Sequence, residues 1–377
     1  MLETRLLEKS NPKEIRLFKE LPFRLYKNNE FWVPPIPGEV ESVMTPEKHP
    51  FYRHSEADFY IVQKDKEVLG RIAVLQNHHF CEYHQVKAGF FYYFESINDL
   101  EVSDLLFSAA EDWCQARGLD ILIGPKGLLR SQGVGLLVDG FDQLPAVGIP
   151  YHLPYYQALI EGYGFTKSHD HLSGYLYQRL DAKINLIAEK VLSRGNFEVK
   201  GFKKASDITE WIPIVDEVQQ KAFSDNSNFY PASPEEFNLL AKNILALVDP
   251  KYIKIIMHNE ELAGFLIAYP NINRSLQRCK GRLFPFGWLL LLNEKKHPTI
   301  LDINGAGLLP EYQGLGGNAL LYSEIDKVIN STHIKRAEIV QVDERNLRLL
   351  SDMKKMGIVF TKTHRTYQKT ITIKHSG

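Results

Sequence analysis

Three short sequence patterns from the first half of the chain recur in the second half in the same order. Each half has two apolar runs joined by a polar turn, then a helix-like Leu-Leu-aromatic-Ser, then Phe-Thr-Lys-x-His. The paired segments are 59–74 and 252–267, 105–108 and 320–323, and 165–169 and 360–364. Such ordered repetition indicates a duplicated domain. We expect each copy to form a mixed antiparallel and parallel sheet with helices on its faces.

A glycine-rich run joins a strand-like segment at 300–306 to a helix-like segment at 319–329. Residues 308–318 read Leu-Leu-Pro-Glu-Tyr-Gln-Gly-Leu-Gly-Gly-Asn. A turn of this kind presents backbone N–H groups at a helix N-terminus, a geometry that binds anions and above all a pyrophosphate. Glycines let phosphates approach the backbone because no Cβ is present. The spacing matches neither of the two common phosphate loops, and an ordinary glycine-rich turn is the alternative interpretation.

The turn resembles the Gln/Arg-x-x-Gly-x-Gly/Ala loop that holds the acetyl-CoA pyrophosphate in GNAT N-acetyltransferases. Gln313 and Gly316 match this loop, and Asn318 departs from it at the last position. The family also places an Asn at the start of the next helix, then a Tyr seven residues later, then a Gly. Asn346 supplies the Asn and residue 357 is Gly, whereas Met353 stands at the Tyr position. The resemblance covers roughly residues 196–373.

The resemblance implies an α/β fold (an α+β mixed sheet) made of two tandem acyl-CoA N-acyltransferase-like domains. We expect an N-terminal degenerate GNAT-like domain at 1–180 and a linker helix at 181–195. A C-terminal GNAT domain that binds acyl-CoA is expected at 196–377.

The repeat also predicts which copy binds CoA. When the Leu-Leu-aromatic-Ser helices are aligned, Asp99 falls on Gly314 and Glu101 falls on Gly316. Carboxylates at these positions would repel pyrophosphate oxygens, and their Cβ atoms would add steric exclusion. The N-terminal copy is therefore expected not to bind CoA in the family manner.

For the C-terminal copy the resemblance implies acetyl-CoA or another acyl-CoA as co-substrate and no metal. The residues that it assigns to this binding site are Leu308, Gln313, Gly314, Leu315, Gly316, Gly317, Asn318 and Asn346.

Acyl transfer to an amine needs a base, because a protonated amine cannot attack a thioester. It also needs an oxyanion donor, which the resemblance places in the backbone near Leu308. Histone-acetylating members carry a catalytic carboxylate six residues earlier, which is Asp302 here; a solvent-facing strand Asp is the alternative. The usual thiolate acid is replaced by Met353, which cannot donate a proton. Tyr322, Tyr367 or water could serve instead.

The composition agrees with a soluble globular enzyme. Hydrophobic residues make up 44% of the chain, and the net charge is −1, which points to neither nucleic acid nor an anionic membrane surface. The three cysteines are widely spaced and odd in number, which favours reduced thiols in a cytoplasmic protein and gives no metal-ligand spacing.

Two insertions lack counterparts in the other copy. Residues 124–154 are rich in Gly and Pro and are either functional or merely connecting. Residues 271–298 combine basic and aromatic side chains. They could hold an acidic or acyl-bearing substrate, or they could form a solvated basic loop with a Trp anchor. Helix starts are predicted at Asn11-Pro12 and at Ser233-Pro234.

These patterns together predict an acyl-CoA-dependent N-acyltransferase (N-acetyltransferase). It would move an acetyl or other acyl group from CoA to the amine of a small molecule or peptide. Met353 and Asn318 keep open a non-catalytic acyl-CoA-binding or interaction module. A long-chain acyl or aminoacyl transferase is also open, because tandem copies of this fold serve those reactions as well.

Overall fold

The computed structural model describes residues 1–177, 182–223, 228–312, 315–331 and 333–372. The strands are β1 (Glu3–Leu6), β2 (Glu56–Lys64), β3 (Glu67–Gln76), β4 (Ala88–Ser96), β5 (Ile121–Gly124), β6 (Leu136–Asp139), β7 (Thr166–Leu176), β8 (Phe197–Gly201), β9 (Ile253–His258), β10 (Glu261–Pro270), β11 (Ile300–Leu308), β12 (Arg336–Asp343) and β13 (Val359–Thr370).

The α-helices are α1 (Pro12–Leu25), α2 (Glu39–Val43), α3 (His78–His84), α4 (Leu100–Gln115), α5 (Tyr156–Gly162), α6 (Ala182–Ser193), α7 (Ala205–Thr209), α8 (Ile212–Phe223), α9 (Pro234–Leu247), α10 (Asn273–Arg278), α11 (Gly287–Lys296), α12 (Gly317–Ser331) and α13 (Leu347–Lys355). Short 3₁₀ turns lie at Pro46–Lys48, Pro50–Arg53, Pro250–Tyr252 and Pro310–Tyr312.

Both predicted helix starts are confirmed. The Asn11 side chain caps α1 by accepting from the N–H of Lys13, and Pro12 occupies the first helical turn. Ser233 and Glu236 form a reciprocal capping box at α9. Each cap satisfies N–H groups that have no partner inside the helix.

The described strands form one mixed sheet in the order β1-β2-β3-β4-β5-β13-β7-β12-β11-β10-β9-β8, with β6 paired to β13. Both predicted hairpins are present, as the antiparallel pairs β2–β3 and β9–β10. Each half also contains one parallel pair, β4–β5 and β11–β12. The duplicated mixed sheet expected from the sequence is therefore observed.

The two halves exchange their last strands. Strand β7, from the first half, pairs with β12 of the second half, while β13 pairs with β5 of the first half. The exchanged strands also pair with each other along most of their length. Residues assigned by sequence order to one domain thus complete the sheet of the other.

Three large apolar cores lie on the helix-covered faces of the sheet, and one of them packs α1 and α2 against β2, β3 and β4. The first-half core packs α4 against the central strands. The second-half core includes Leu308, Leu320, Tyr322 and Met353, and α6 packs against α12 at its edge. Among the described helices, none is long and apolar enough to cross a membrane.

Candidate active site

Strands β11 and β12 part from each other within the second half. Their parallel pairing covers only Ile300–Ile303 on β11 and Arg336–Ile339 on β12. Beyond that point β11 follows β10 as far as Leu308, whereas β12 follows β7 as far as Asp343. Asn304 is the extra residue of a β-bulge at the point of parting. The carboxyl halves of these two adjacent parallel strands are therefore not paired with each other, and this divergence is the opening between β11 and β12.

The glycine-rich turn lies at the end of β11 and leads into α12. Leu308 is buried and pairs with Gly264, and Leu315 is exposed. Gln313 and Gly314 lie outside the described residues. Gly316 has a φ of 97°, a left-handed conformation that strains other residues.

Close packing is a second reason for glycine in this turn. A Cβ on Gly316 would come 2.4 Å from Val191 Cγ2 of α6, and a Cβ on Gly317 would come 2.6 Å from the side chain of Leu308. Glycine at these positions therefore satisfies local packing as well as any ligand.

The first turn of α12 differs in charge from that of its counterpart, α4. It contains no acidic residue, so nothing there opposes the partial positive charge of the helix N-terminus. In α4 the Asp99 carboxylate caps the helix by accepting from the N–H of Glu101. The side chain of Glu101 adds a second carboxylate to the first turn of α4. The described part of the α12 start thus suits a diphosphate better than the α4 start.

The corresponding opening in the first half is closed by its own backbone. Strands β4 and β5 pair only over Ala88–Phe90 and Ile121–Ile123. The N–H of Lys126 then donates to the carbonyl of Phe91 at 2.8 Å. A Cβ on Gly124 would lie 2.5 Å from that same carbonyl oxygen. The backbone after β4 and the backbone after β5 are therefore too close together to admit the thioester-bearing arm of an acyl-CoA.

Asp302 lies on β11 and is completely buried, with an exposed fraction of 0%. Its Oδ2 accepts from the N–H of Val147 at 2.8 Å, and both of its carboxyl oxygens lie 3.0 Å from Nδ2 of Asn271. The solvent-facing alternative for Asp302 is therefore excluded. Val147 belongs to the Gly/Pro-rich insertion, so that insertion packs on the central strands of the second half.

Asp302 faces Glu338 across the β11–β12 pair, and Lys362 of β13 lies beside them. The Lys362 ammonium forms an ion pair with Glu338 at 2.5 Å and donates to the carbonyl of Leu144 at 2.8 Å. Burial, and then the nearby Glu338 carboxylate, raise the pKa of Asp302 to about 7. A carboxyl group with this pKa can exchange a proton near neutrality. The repeated Phe-Thr-Lys-x-His pattern contains Lys362 but gave it no chemical role, and Val147 carried no local signal. Both residues reach the site through distant chain segments.

Asn304, the bulge residue, lies two positions after Asp302 on β11 and is exposed. Its amide donates to the hydroxyl of Tyr269. A buried carboxyl group and an exposed polar side chain thus lie two positions apart on the same strand.

The candidate proton donors occupy different parts of the molecule. Tyr322 lies in the same apolar core as Leu308 and Met353, and burial raises its pKa. Met353 is itself buried in that core. Tyr367 lies on β13 opposite Gly124, and its hydroxyl donates to Glu161 at 2.9 Å.

Tyr367 is therefore remote from the opening. It belongs to the first-half core and lies five residues along β13 from Lys362, the β13 residue that pairs with Glu338. The position of Tyr322 remains compatible with a role near the opening, whereas that of Tyr367 is not.

Asn346 has a local structural role. It is the N-cap of α13, and its side-chain oxygen accepts from the N–H of Leu349 at 3.1 Å. Its side chain is exposed, and its position follows the end of β12.

Two clusters in the described ranges bring metal-ligating atoms together: His54 with His79 and Glu236, and His169 with His171 and Asp343. Existing contacts account for both carboxylates. Glu236 caps α9 and contacts His54. The carboxylate of Asp343 accepts from the backbone and guanidinium of Arg345. These contacts use the same oxygens that a cation would need.

No family model matches this chain. It is 29% identical over 369 residues to a protein named bacterial ceramide synthase from Caulobacter vibrioides, covering 96% of each chain. It is 27% identical to Protein YghO of Escherichia coli, covering 96% of this chain and 94% of that protein.

Solved structures show the fold. A tandem GNAT protein from the clavulanic acid biosynthesis pathway matches with a TM-score of 0.59 at 11% identity, covering 99% of each chain. A GCN5-related N-acetyltransferase from Sphaerobacter thermophilus matches with a TM-score of 0.53 at 12% identity, covering 98% of this chain and 96% of that chain. The chain therefore has the tandem GNAT acyltransferase fold that its sequence predicted.

Proposed function

We propose that this chain transfers an acyl group from acyl-CoA to the primary amine of a long-chain amino alcohol, which gives a ceramide-type amide. The observation that carries the proposal is the opening between β11 and β12, which leads to the start of α12, a helix whose first turn contains no acidic residue. The full-length similarity to a protein named ceramide synthase supports a lipid amine as acceptor.

The donor would lie in this opening. The pyrophosphate would meet the N–H groups of the turn and the first turn of α12, from Leu315 to Asn318, where the helix N-terminus favours an anion. The acyl-bearing arm would extend between β11 and β12, which no longer hydrogen-bond to each other beyond Ile303 and Ile339.

The reaction forms an amide C–N bond and breaks the thioester C–S bond. The attacking amine must lose a proton, and the departing CoA thiolate must gain one. We propose Asp302 as the group that takes the amine proton, because its pKa of about 7 allows it to be ionised at neutral pH. Since Val147 covers Asp302, the segment around Val147 must move before an acceptor amine can reach it.

Donor binding is tested best with Asn318→Asp. This nearly isosteric change adds a charge at the start of α12 that favours the helix by about 0.3–1 kcal/mol but repels phosphate. Calorimetry should show CoA affinity reduced about tenfold or more with no loss of thermal stability. Asn318→Gly, which restores the family pattern, is the matched control and should bind CoA at least as well as the parent. Replacing Gly316 by another residue would be uninformative, because the added Cβ would clash with Val191 whether or not CoA binds there.

Transfer is tested by CoA thiol release with acetyl-CoA and palmitoyl-CoA as donors. The acceptor panel should contain sphinganine, a short water-soluble amino alcohol and a lysine peptide. We expect release that depends on both palmitoyl-CoA and sphinganine. Release with acetyl-CoA and the peptide alone would instead support a protein N-acetyltransferase. Tight CoA binding without release for any pair would support the non-catalytic module.

A further inference from the structure

The insertion that joins β10 to β11 presents an apolar surface to solvent. Phe284 and Phe286 have exposed fractions of 83% and 71%. Other large apolar side chains exposed within the same nine residues are Trp288, Leu289, Leu290 and Leu292. Side chains exposed in such a contiguous run mark an interaction surface rather than normal surface scatter.

Defined contacts hold this surface in place. The Ser275 hydroxyl of α10 donates to the carbonyl of Leu290 at 3.0 Å, and the Ser275 N–H donates to Glu294 at 2.7 Å. The Gln277 amide donates to the carbonyl of Trp32 at 2.9 Å, which fastens the insertion to the first half. Leu291 packs inward. The apolar side chains are therefore displayed by a supported helical pair.

Positive charge surrounds the same surface. Residues 271–298 contain six Lys and Arg residues and a single acidic residue, Glu294, although the chain as a whole has a net charge of −1. Arg274, Arg278, Lys280 and Arg282 are exposed, and within the described ranges none of them forms an ion pair. Their charge is directed to solvent or to a partner.

We infer that this insertion docks on an anionic lipid bilayer. The Phe, Trp and Leu side chains would enter the boundary between headgroups and acyl chains, and the Arg and Lys side chains would contact anionic headgroups. Helix α11 has only ten residues, so it would lie in the interface and not span the bilayer. The net charge of −1, which pointed to no anionic membrane surface, is a sum over the whole chain and conceals this local basic cluster.

A second copy of the chain fits this surface less well. In a two-fold dimer the same patch meets itself, so the basic side chains would be brought against one another. An anionic bilayer instead complements both the apolar and the charged parts. The inference does not depend on the proposed acyl transfer, since docking needs neither CoA nor an amine.

The test is flotation of the full chain with vesicles of phosphatidylcholine, with and without phosphatidylglycerol. Two variants remove the two contributions separately: Phe284→Ser/Phe286→Ser and Arg278→Glu/Arg282→Glu. Matched controls change exposed residues elsewhere: Leu6→Ser/Leu100→Ser and Lys64→Glu/Lys66→Glu. Circular dichroism and melting temperature should be the same for all five proteins.

We expect the parent and both controls to float with phosphatidylglycerol vesicles, and each insertion variant to partition at least about tenfold more weakly. Failure of the parent to float, or equal flotation of parent and insertion variants, would overturn the inference. So would a vesicle-independent dimer, measured by light scattering, that only the insertion variants abolish.

Discussion

Asp302 and Glu338 occupy facing positions on two adjacent parallel strands, and their exposed fractions are 0% and 1%. Two buried carboxyl groups this close cannot both ionise without a compensating charge. The ammonium of Lys362 supplies that charge and lies closer to Glu338. Burial raises the pKa of both carboxyl groups, and it raises that of Asp302 to about 7 with the help of the nearby Glu338 carboxylate.

The first prediction concerns the pH dependence of acyl transfer. If Asp302 accepts the amine proton, kcat/KM should rise with pH and level off above about 7, since only the ionised carboxylate is a base. Asp302→Asn should lower turnover by roughly 10²–10⁴-fold and remove this limb. Glu338→Gln should shift the limb to lower pH, because the Glu338 charge helps to raise the pKa of Asp302. An unchanged profile in Asp302→Asn would leave Asp302 with only a structural role.

The second prediction concerns Lys362 and stability. Lys362→Met leaves two buried carboxyl groups without their cation, which should lower the free energy of unfolding by about 3–5 kcal/mol. The loss should grow as pH rises, because the carboxyl groups ionise freely in the unfolded chain whereas burial without a cation opposes their ionisation in the folded variant. Lys167→Met is the control, since Lys167 is a partly exposed ion-pair partner and should contribute no more than about 1 kcal/mol. Equal losses in denaturant titrations would contradict this account of the cluster.

The third prediction concerns Met353. It lies buried beside the core that contains Leu308 and Tyr322, so Met353→Tyr should overpack this core and cost about 1–3 kcal/mol. Met353→Leu, which nearly conserves volume, should cost less than about 1.5 kcal/mol. Thermal melts measure both effects. A stable Met353→Tyr variant with faster thiol release would show instead that position 353 faces the donor sulfur.

The fourth prediction follows from the strand exchange. Residues 1–195 produced alone lack β13 beside β5, and residues 196–377 alone lack β7 beside β12. Each fragment should therefore expose sheet edges and aggregate or remain unfolded. The two fragments produced together should associate and recover cooperative melting. Independent cooperative folding of either fragment would mean that the exchange is dispensable.

Local features of this fold were accessible from the sequence because they depend on neighbouring residues. The cap at Asn11, the capping box at Ser233 and both hairpins follow from turn and capping chemistry within a few positions. The duplicated mixed sheet followed from the repeat. The strand exchange did not follow from the sequence. Neither β7 nor β13 carries a pattern that specifies whether it pairs with β5 of the first half or with β12 of the second half.

The same distinction applies to the site. The turn at 308–318 was recognisable as a local strand–glycine–helix pattern. The burial of Asp302 was not, because Val147 covers it from an insertion about 155 residues away in the chain. Tyr367 was a reasonable candidate on chemistry alone, yet it lies in the first-half core, where its hydroxyl donates to Glu161. Periodicity could not reveal either arrangement.

The most direct test of the central claim is formation of the amide itself. The full chain is incubated with palmitoyl-CoA labelled with ¹³C in the acyl group and with sphinganine, and the lipid extract is analysed by mass spectrometry. We expect labelled N-acyl sphinganine in amounts equal to the free CoA released, and much less amide with Asp302→Asn or Asn318→Asp. Free CoA without labelled amide, or no product although palmitoyl-CoA is bound, would contradict the central claim.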